Sequence, residues 1–141
     1  MRVRARRCFT VLATLIGAAT VPANAQQLFD NWNTAACGFT DTATLTVNRH
    51  IQVQRLDIWF RWGRNESAMR YTAARGGRVI AAGELFRAEC DPYQEAWCVA
   101  RVYIGANMKP GTYTFRTQRP GICQNAGSGG QGFIRAYGAG E

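Results

Sequence analysis

Between residues 42 and 137 the chain repeatedly alternates apolar and polar side chains with a period of two. Successive side chains of a β-strand point to opposite faces, so the pattern gives each strand one face for a core and one for water. Ala43, Leu45 and Val47 alternate with Thr42, Thr44, Thr46 and Asn48. Ile51 and Val53 open a second alternation. It changes phase near Arg55 and resumes as Leu56, Ile58, Phe60 and Trp62 against Asp57, Trp59 and Arg61. Such a phase change predicts a bulge or a short break between two strands. Further runs at 68–73, 78–86, 97–104, 112–117 and 132–137 are filled with Thr, Val, Ile and aromatic residues, as strands prefer. Turn signals separate them at Gly63-Arg64-Asn65, Gly76-Gly77, Asp91-Pro92, Lys109-Pro110-Gly111 and Arg119-Pro120-Gly121. The helical candidate at 82–90 is short and reads equally well as a strand followed by a turn. About seven or eight strands with turns roughly every 10–15 residues predict an all-β fold, an antiparallel β-sandwich of jelly-roll type. No internal repeat or linker interrupts it, and the Gly-rich tail 138–141 is expected to fray.

The N-terminus reads MRVRARRCFTVLATLIGAATVPANA. Arg2, Arg4, Arg6 and Arg7 precede an apolar run at 9–19, and Ala23-Asn24-Ala25 is a small-x-small cleavage site. Residues 1–25 are therefore expected to be a secretory signal peptide and residues 26–141 a single exported domain, periplasmic or secreted. Cys8 precedes the apolar run with no lipobox around it. A membrane span needs about 20 apolar residues, and no stretch reaches that length. Four of the 17 basic residues lie in the signal and none of the nine acidic ones do, so the net charge falls from +8 to +4, thirteen against nine. The remaining basic residues are spread singly, without the patch or stripe that nucleic-acid binding requires.

Cys37, Cys90, Cys98 and Cys123 remain in the expected mature chain. An even number in a small exported chain implies disulfides. A zinc site would need all four scattered cysteines, since there is no CxxC spacing and His50 is the single histidine. Three pairings are possible. Cys90 and Cys98 flank the short excursion DPYQEAW, where a local staple is natural, and that leaves Cys37 with Cys123. On the chain-entropy model the long loop is worth about 4.6 kcal/mol and the short one about 2.6.

The residues of hydrolytic catalysis are thinly represented. His50 has no evident nucleophile beside it, Ser128 sits in GSG rather than GxSxG, and no cysteine is expected to stay free for thiol chemistry. Glu89, Asp91 and Glu95 cluster near the short staple, where a solvated loop face is a simpler reading than a glycosidase pair. No DxDxDG-type calcium run is present. The stretch Gln124 to Gly132, QNAGSGGQG, lacks both the Walker spacing and a GxGxxG at a strand–helix junction, which leaves a binding loop or a plain turn. No enzyme activity or cofactor is expected and no metal site is assigned, with calcium binding left open.

Three short motifs carry a resemblance. Phe29-Asp30-Asn31-Trp32-Asn33-Thr34 opens the domain, Gly111-Thr112-Tyr113-Thr114-Phe115 lies near its end, and Cys123 to Phe133 closes it. Together they resemble a group of small exported bacterial β-sandwich domains with an F-x-N-G-N-T opening and a GTYTV ending followed by a WSQNSxSGGxG-like segment. Phe60-Arg61-Trp62 stands where that group carries Y-H-W, and Glu95-Ala96-Trp97 is similar to its N-A-Y-W. Arg61 replaces the usual histidine, Ile122-Cys123 the Trp-Ser pair, and Trp32-Asn33 the Asn-Gly. The resemblance implies a β-sandwich and export. It agrees with the disulfide reading: if the opening and closing motifs share one end of the sandwich, Cys37 and Cys123 can meet.

Two functional readings follow. One is a binding module for a polymer or small molecule, in particular a glycan. Asn31, Asn33, Gln124, Asn125 and Ser128 would supply amides and a hydroxyl to sugar hydroxyls, and Trp59, Trp62 or Trp32 an aromatic surface to stack on. Trp62 equally fits a core position. The other is a protein-interaction module, such as an inhibitor of a hydrolase, with the stapled loop inserting Tyr93 and Trp97 as anchors.

Overall fold

A computed structural model describes residues 25–140, which form an all-β fold. The proposed signal peptide falls, except for Ala25, outside the described residues. Ten strands follow one another: β1 (Gln26–Asp30), β2 (Gly38–Thr40), β3 (Thr42–Val47), β4 (Ile51–Arg61), β5 (Ala68–Arg75), β6 (Arg78–Cys90), β7 (Trp97–Met108), β8 (Gly111–Thr117), β9 (Ile122–Gln124) and β10 (Ile134–Gly140). All the pairings are antiparallel, in the order β1-β10-β4-β7-β6-β5-β8-β3, with β2 on β9 and β9 touching the end of β4. β3, at one end of this path, lies against β10 near the other. The result is one antiparallel sheet nearly closed as a barrel. The pairing does not divide it into the two facing sheets of a sandwich.

The alternation read from the sequence fixes which face is inside. Leu56, Ile58 and Phe60 of β4 are buried and meet Leu45 of β3, Leu85 of β6, Phe115 of β8 and Ile134 of β10 in the core. Each such side chain contributes about 1.5–3 kcal/mol of hydrophobic burial. The phase change near Arg55 is a bulge within one continuous strand. Gln54 is the extra residue against β10, where Tyr137 pairs with Arg55 and Gly138 with Val53. Across β7 the extra residue lies on the other strand, and Gly105 there adopts φ 57, a left-handed conformation that costs glycine least.

Three departures from expectation have simple causes. β2 and β9 are three residues each, too short for periodicity to reveal. Within the Gly-rich tail, Gly138, Ala139 and Gly140 pair with Val53, Gln52 and Ile51, because a sheet ladder is built from backbone groups and needs no side chain, while residue 141 lies outside the described residues. The ambiguous 82–90 segment is the second half of β6, whose ladder is supplied by β5 up to Phe86 and by β7 from Phe86 to Cys90. Both disulfides form, Cys37 with Cys123 and Cys90 with Cys98. Among the described residues no helix is long and apolar enough to cross a membrane.

Candidate functional site

On β4 the residues between the core positions, Asp57, Trp59 and Arg61, belong to the outer face. Asp57 is the polar exception to exposure: only 3% of it is accessible. Arg101 of β7 grips both its oxygens, at 2.8 and 3.0 Å, and Arg55 stands 3.2 Å away. Arg101 also holds Glu89 at 2.7 Å. This hydrogen bond from Arg101 keeps the Glu89 carboxyl below its ordinary range, and the hydrogen bond to Asp57 foremost raises the Arg101 guanidinium above its own. The cluster is an ion network in which two guanidiniums and two carboxylates offset one another.

Beside that network lies a row of aromatic rings. Phe39 of β2 stacks on Trp97 at 5.8 Å between centres and 1° between planes. Trp97 lies 6.2 Å from Trp59 at 16°, and Trp59 lies 5.5 Å from Trp32 at 47°. Cross-strand register brings this about: Arg61 pairs with Trp97 and Trp59 with Val99, which sets both tryptophans on one face. Trp32 reaches over from the segment after β1, its ring 6.5 Å from Phe133. Arg135 covers that ring at 3.8 Å and is itself paired to Asp30 at 3.1 Å. Phe39 is 47% exposed, and the three tryptophans are half-buried. A part-exposed apolar row framed by polar groups is the form of a recognition surface.

The row lines an open groove of about 600 Å³ whose rim includes Asn33, Arg61, Asp91 and Gln94. Each disulfide holds one part of that rim. Cys37–Cys123 fixes the 33–37 segment, and Cys90–Cys98 closes the loop carrying Asp91 and Gln94. Within the loop Asp91 Oδ1 accepts from the backbone N–H groups of Tyr93 at 2.7 Å and Gln94 at 3.0 Å. Tyr93 stands at 92% exposure outside the groove lining. A second groove of about 580 Å³ adjoins the first, sharing Phe39 and Arg61 with it, and adds Arg64, Arg119 and Glu66. Arg119 is paired to Glu66 and donates to the Arg61 carbonyl at 3.0 Å. Burial pushes the Glu66 carboxyl up, but the Gly63 N–H and Arg119 outweigh it and hold it lowered.

The structure separates the residues singled out by sequence. Trp59 and Asn33 line the aromatic groove. Trp62 lies in the core at 3% exposure, packed edge-on against Phe60, with its indole N–H on the Cys98 carbonyl at 3.2 Å. Asn31 uses its amide as a strand would, donating to the Gly132 carbonyl at 2.9 Å and accepting from Ile134 N–H at 2.8 Å. Asn33 and Asn125 exchange amide hydrogen bonds at 2.9 and 2.8 Å. Asn125 caps a 3₁₀ turn at Ala126–Ser128, with Ser128 N–H donating to its side chain and Ser128 Oγ accepting from its backbone N–H. Gln124 extends β9, and its amide fills the space that a side chain at Gly38 would need. QNAGSGGQG is thus a capped turn latched to the opening segment, and most of its polar groups are spent on the latch. The remaining ring, Phe39, carried no sequence signal, because β2 is too short to show a phase. Trp97 stood out as an anchor of the stapled loop and in the Glu95-Ala96-Trp97 motif, not as part of an aromatic row.

Among the described residues no group of three or more His, Cys, Asp or Glu side chains is placed to hold a metal ion. No family model and no curated protein sequence matches the chain. Among solved structures it is similar to a Paenibacillus sp. cycloisomaltooligosaccharide glucanotransferase complexed with cycloisomaltoheptaose. The identity is 18% and the TM-score 0.29, over 82% of this chain and 17% of that one. The chain thus spans about a sixth of that enzyme's length, and a likeness so slight decides neither fold nor function.

Proposed function

We propose that the protein is an exported, non-enzymatic glycan-binding module that holds a saccharide along the row Trp32, Trp59, Trp97 and Phe39. The observation that carries this reading is the row itself: four rings from four separate segments, brought together on the outer face of a disulfide-framed sheet. Sugar rings present apolar C–H faces and fixed hydroxyls, so they fit aromatic surface bordered by a few placed polar groups. Gln94 and Arg61 supply those groups at the rim, the Asn33 amide being taken up by Asn125. A rigid rim lowers the ordering cost of binding. The state of Glu89 supports a non-enzymatic reading: the hydrogen bond from Arg101 holds its carboxyl below the ordinary range, whereas a general acid needs a raised pKa.

Affinity electrophoresis through gels containing soluble polysaccharides tests it. The oxidised protein is expected to be retarded by at least one of them, and Trp59→Ala to migrate freely while remaining folded. Free migration of the native protein through the whole panel would sink the reading. The loop tip offers a second reading. Tyr93 at 92% exposure on a stapled loop suits insertion into a protein partner, in which case Tyr93→Ala and not Trp59→Ala would abolish capture.

A further inference from the structure

We propose that the bound glycan is anionic, and that its carboxylate or sulfate groups are read by Arg61 and Arg64 where the aromatic groove meets the second groove. The inference rests on the aromatic row being the glycan platform and adds the charge of the ligand to it. Arg61 ends β4 and lines both grooves, its guanidinium 5.8 Å from the centre of the Phe39 ring. A saccharide lying on the Phe39 end of the row therefore carries its substituents toward this side chain. Arg64 follows in the adjoining turn and lines the second groove.

The charges around them are unequally satisfied. Among the described residues no carboxylate lies within salt-bridge distance of Arg61 or Arg64, whereas Arg101, Arg119 and Arg135 at neighbouring positions are each paired. The carboxylates lining the two grooves are Glu66 and Asp91. Glu66 is held by Arg119 and the Gly63 N–H, and Asp91 by two loop N–H groups. Arg61 thus stands exposed at the junction of the two grooves and Arg64 in the second, and the carboxylates lining both grooves are already engaged. A guanidinium offers paired N–H donors that match a carboxylate or a sulfate, and its charge steers an anionic polymer toward the groove. A neutral sugar would leave this charge unused.

Matched ligand pairs separate charge from sugar identity. Oligogalacturonate is compared with its fully methyl-esterified form, and a κ-carrageenan oligosaccharide with its desulfated form, by calorimetric titration at low and high salt. The charged member of at least one pair is expected to bind about fivefold or more tightly than its neutral partner, an advantage that shrinks with salt. The Arg61→Gln/Arg64→Gln double variant is expected to lose the advantage. Arg78→Gln, which removes one charge at the distant β5–β6 hairpin, is expected to keep it, and circular dichroism checks that each variant is folded. The pair that responds identifies the anion. Equal binding of charged and neutral members in both pairs overturns the inference, as does an advantage that survives the double variant. Tighter binding of a single-stranded oligothymidylate than of either saccharide overturns it in favour of nucleic acid, whose bases would also stack on such a row. If Trp59→Ala weakens both members of a pair while the arginine variant weakens neither, the platform stands and the anionic reading falls. If Trp59→Ala weakens neither member, the platform reading itself falls.

Discussion

Trp59 and Trp62 sit three residues apart on and just beyond β4, and strand parity gives them opposite fates. Trp62 continues the inward series Leu56, Ile58, Phe60, whereas Trp59 faces out beside Val99. Trp62→Ala is expected to cost about 3–5 kcal/mol in urea unfolding, the ordinary penalty for emptying a buried aromatic site. Trp59→Ala is expected to cost less than half of that and to act on binding instead. Asn125→Ala removes both the turn cap and the Asn33 amide pair, and a loss of about 1–2 kcal/mol is expected by the same assay. Because those groups face each other, polysaccharide retardation should survive that change. The inward series was legible in the sequence, since parity is a local property. The partnership of Asn33 with Asn125 was not, because the two residues are 92 positions apart and nothing local distinguishes a latched amide from a free one.

At the scale of elements, the bulge in β4 was legible as a phase change, and the turn residues marked most strand ends. β2 and β9 were not, since three residues carry no period, and β10 runs on through a Gly-rich tail whose ladder depends on β4. The aromatic row escaped for the same reason: its rings come from β2, β4, β7 and the segment after β1, and only register brings them together. The loop joining β4 to β5 carries a pH dependence. Glu66 there, and Glu89 on β6, are held below the ordinary carboxyl value near 4.5. A depressed folded-state pKa contributes stability above the unfolded value, and that contribution is lost as pH falls through the folded one. The melting temperature is therefore expected to hold level from neutral pH to about 5 and to fall below about 4.5, with Glu66→Gln flattening the fall. An unchanged slope in that variant would mean that the Arg119 pair contributes nothing to acid sensitivity.

Across the whole molecule the two disulfides secure both the fold and the groove. Cys37–Cys123 ties the start of the domain to its closing turn, and Cys90–Cys98 sets the opposite rim. Removing the long cross-link by Cys37→Ala with Cys123→Ala is expected to cost about 2–5 kcal/mol in denaturant unfolding, and to weaken saccharide binding at temperatures where the domain is still folded. The central claim is that a saccharide lies on the outer aromatic row. The indole N–H resonances of the four tryptophans, followed during titration with a polysaccharide fragment that retards the protein, test it most directly. The Trp59 and Trp97 signals are expected to move together with that of Trp32, while Trp62, held on the Cys98 carbonyl in the core, stays in place. Saturable binding that leaves Trp32, Trp59 and Trp97 unshifted would contradict it and place the ligand elsewhere on the sheet.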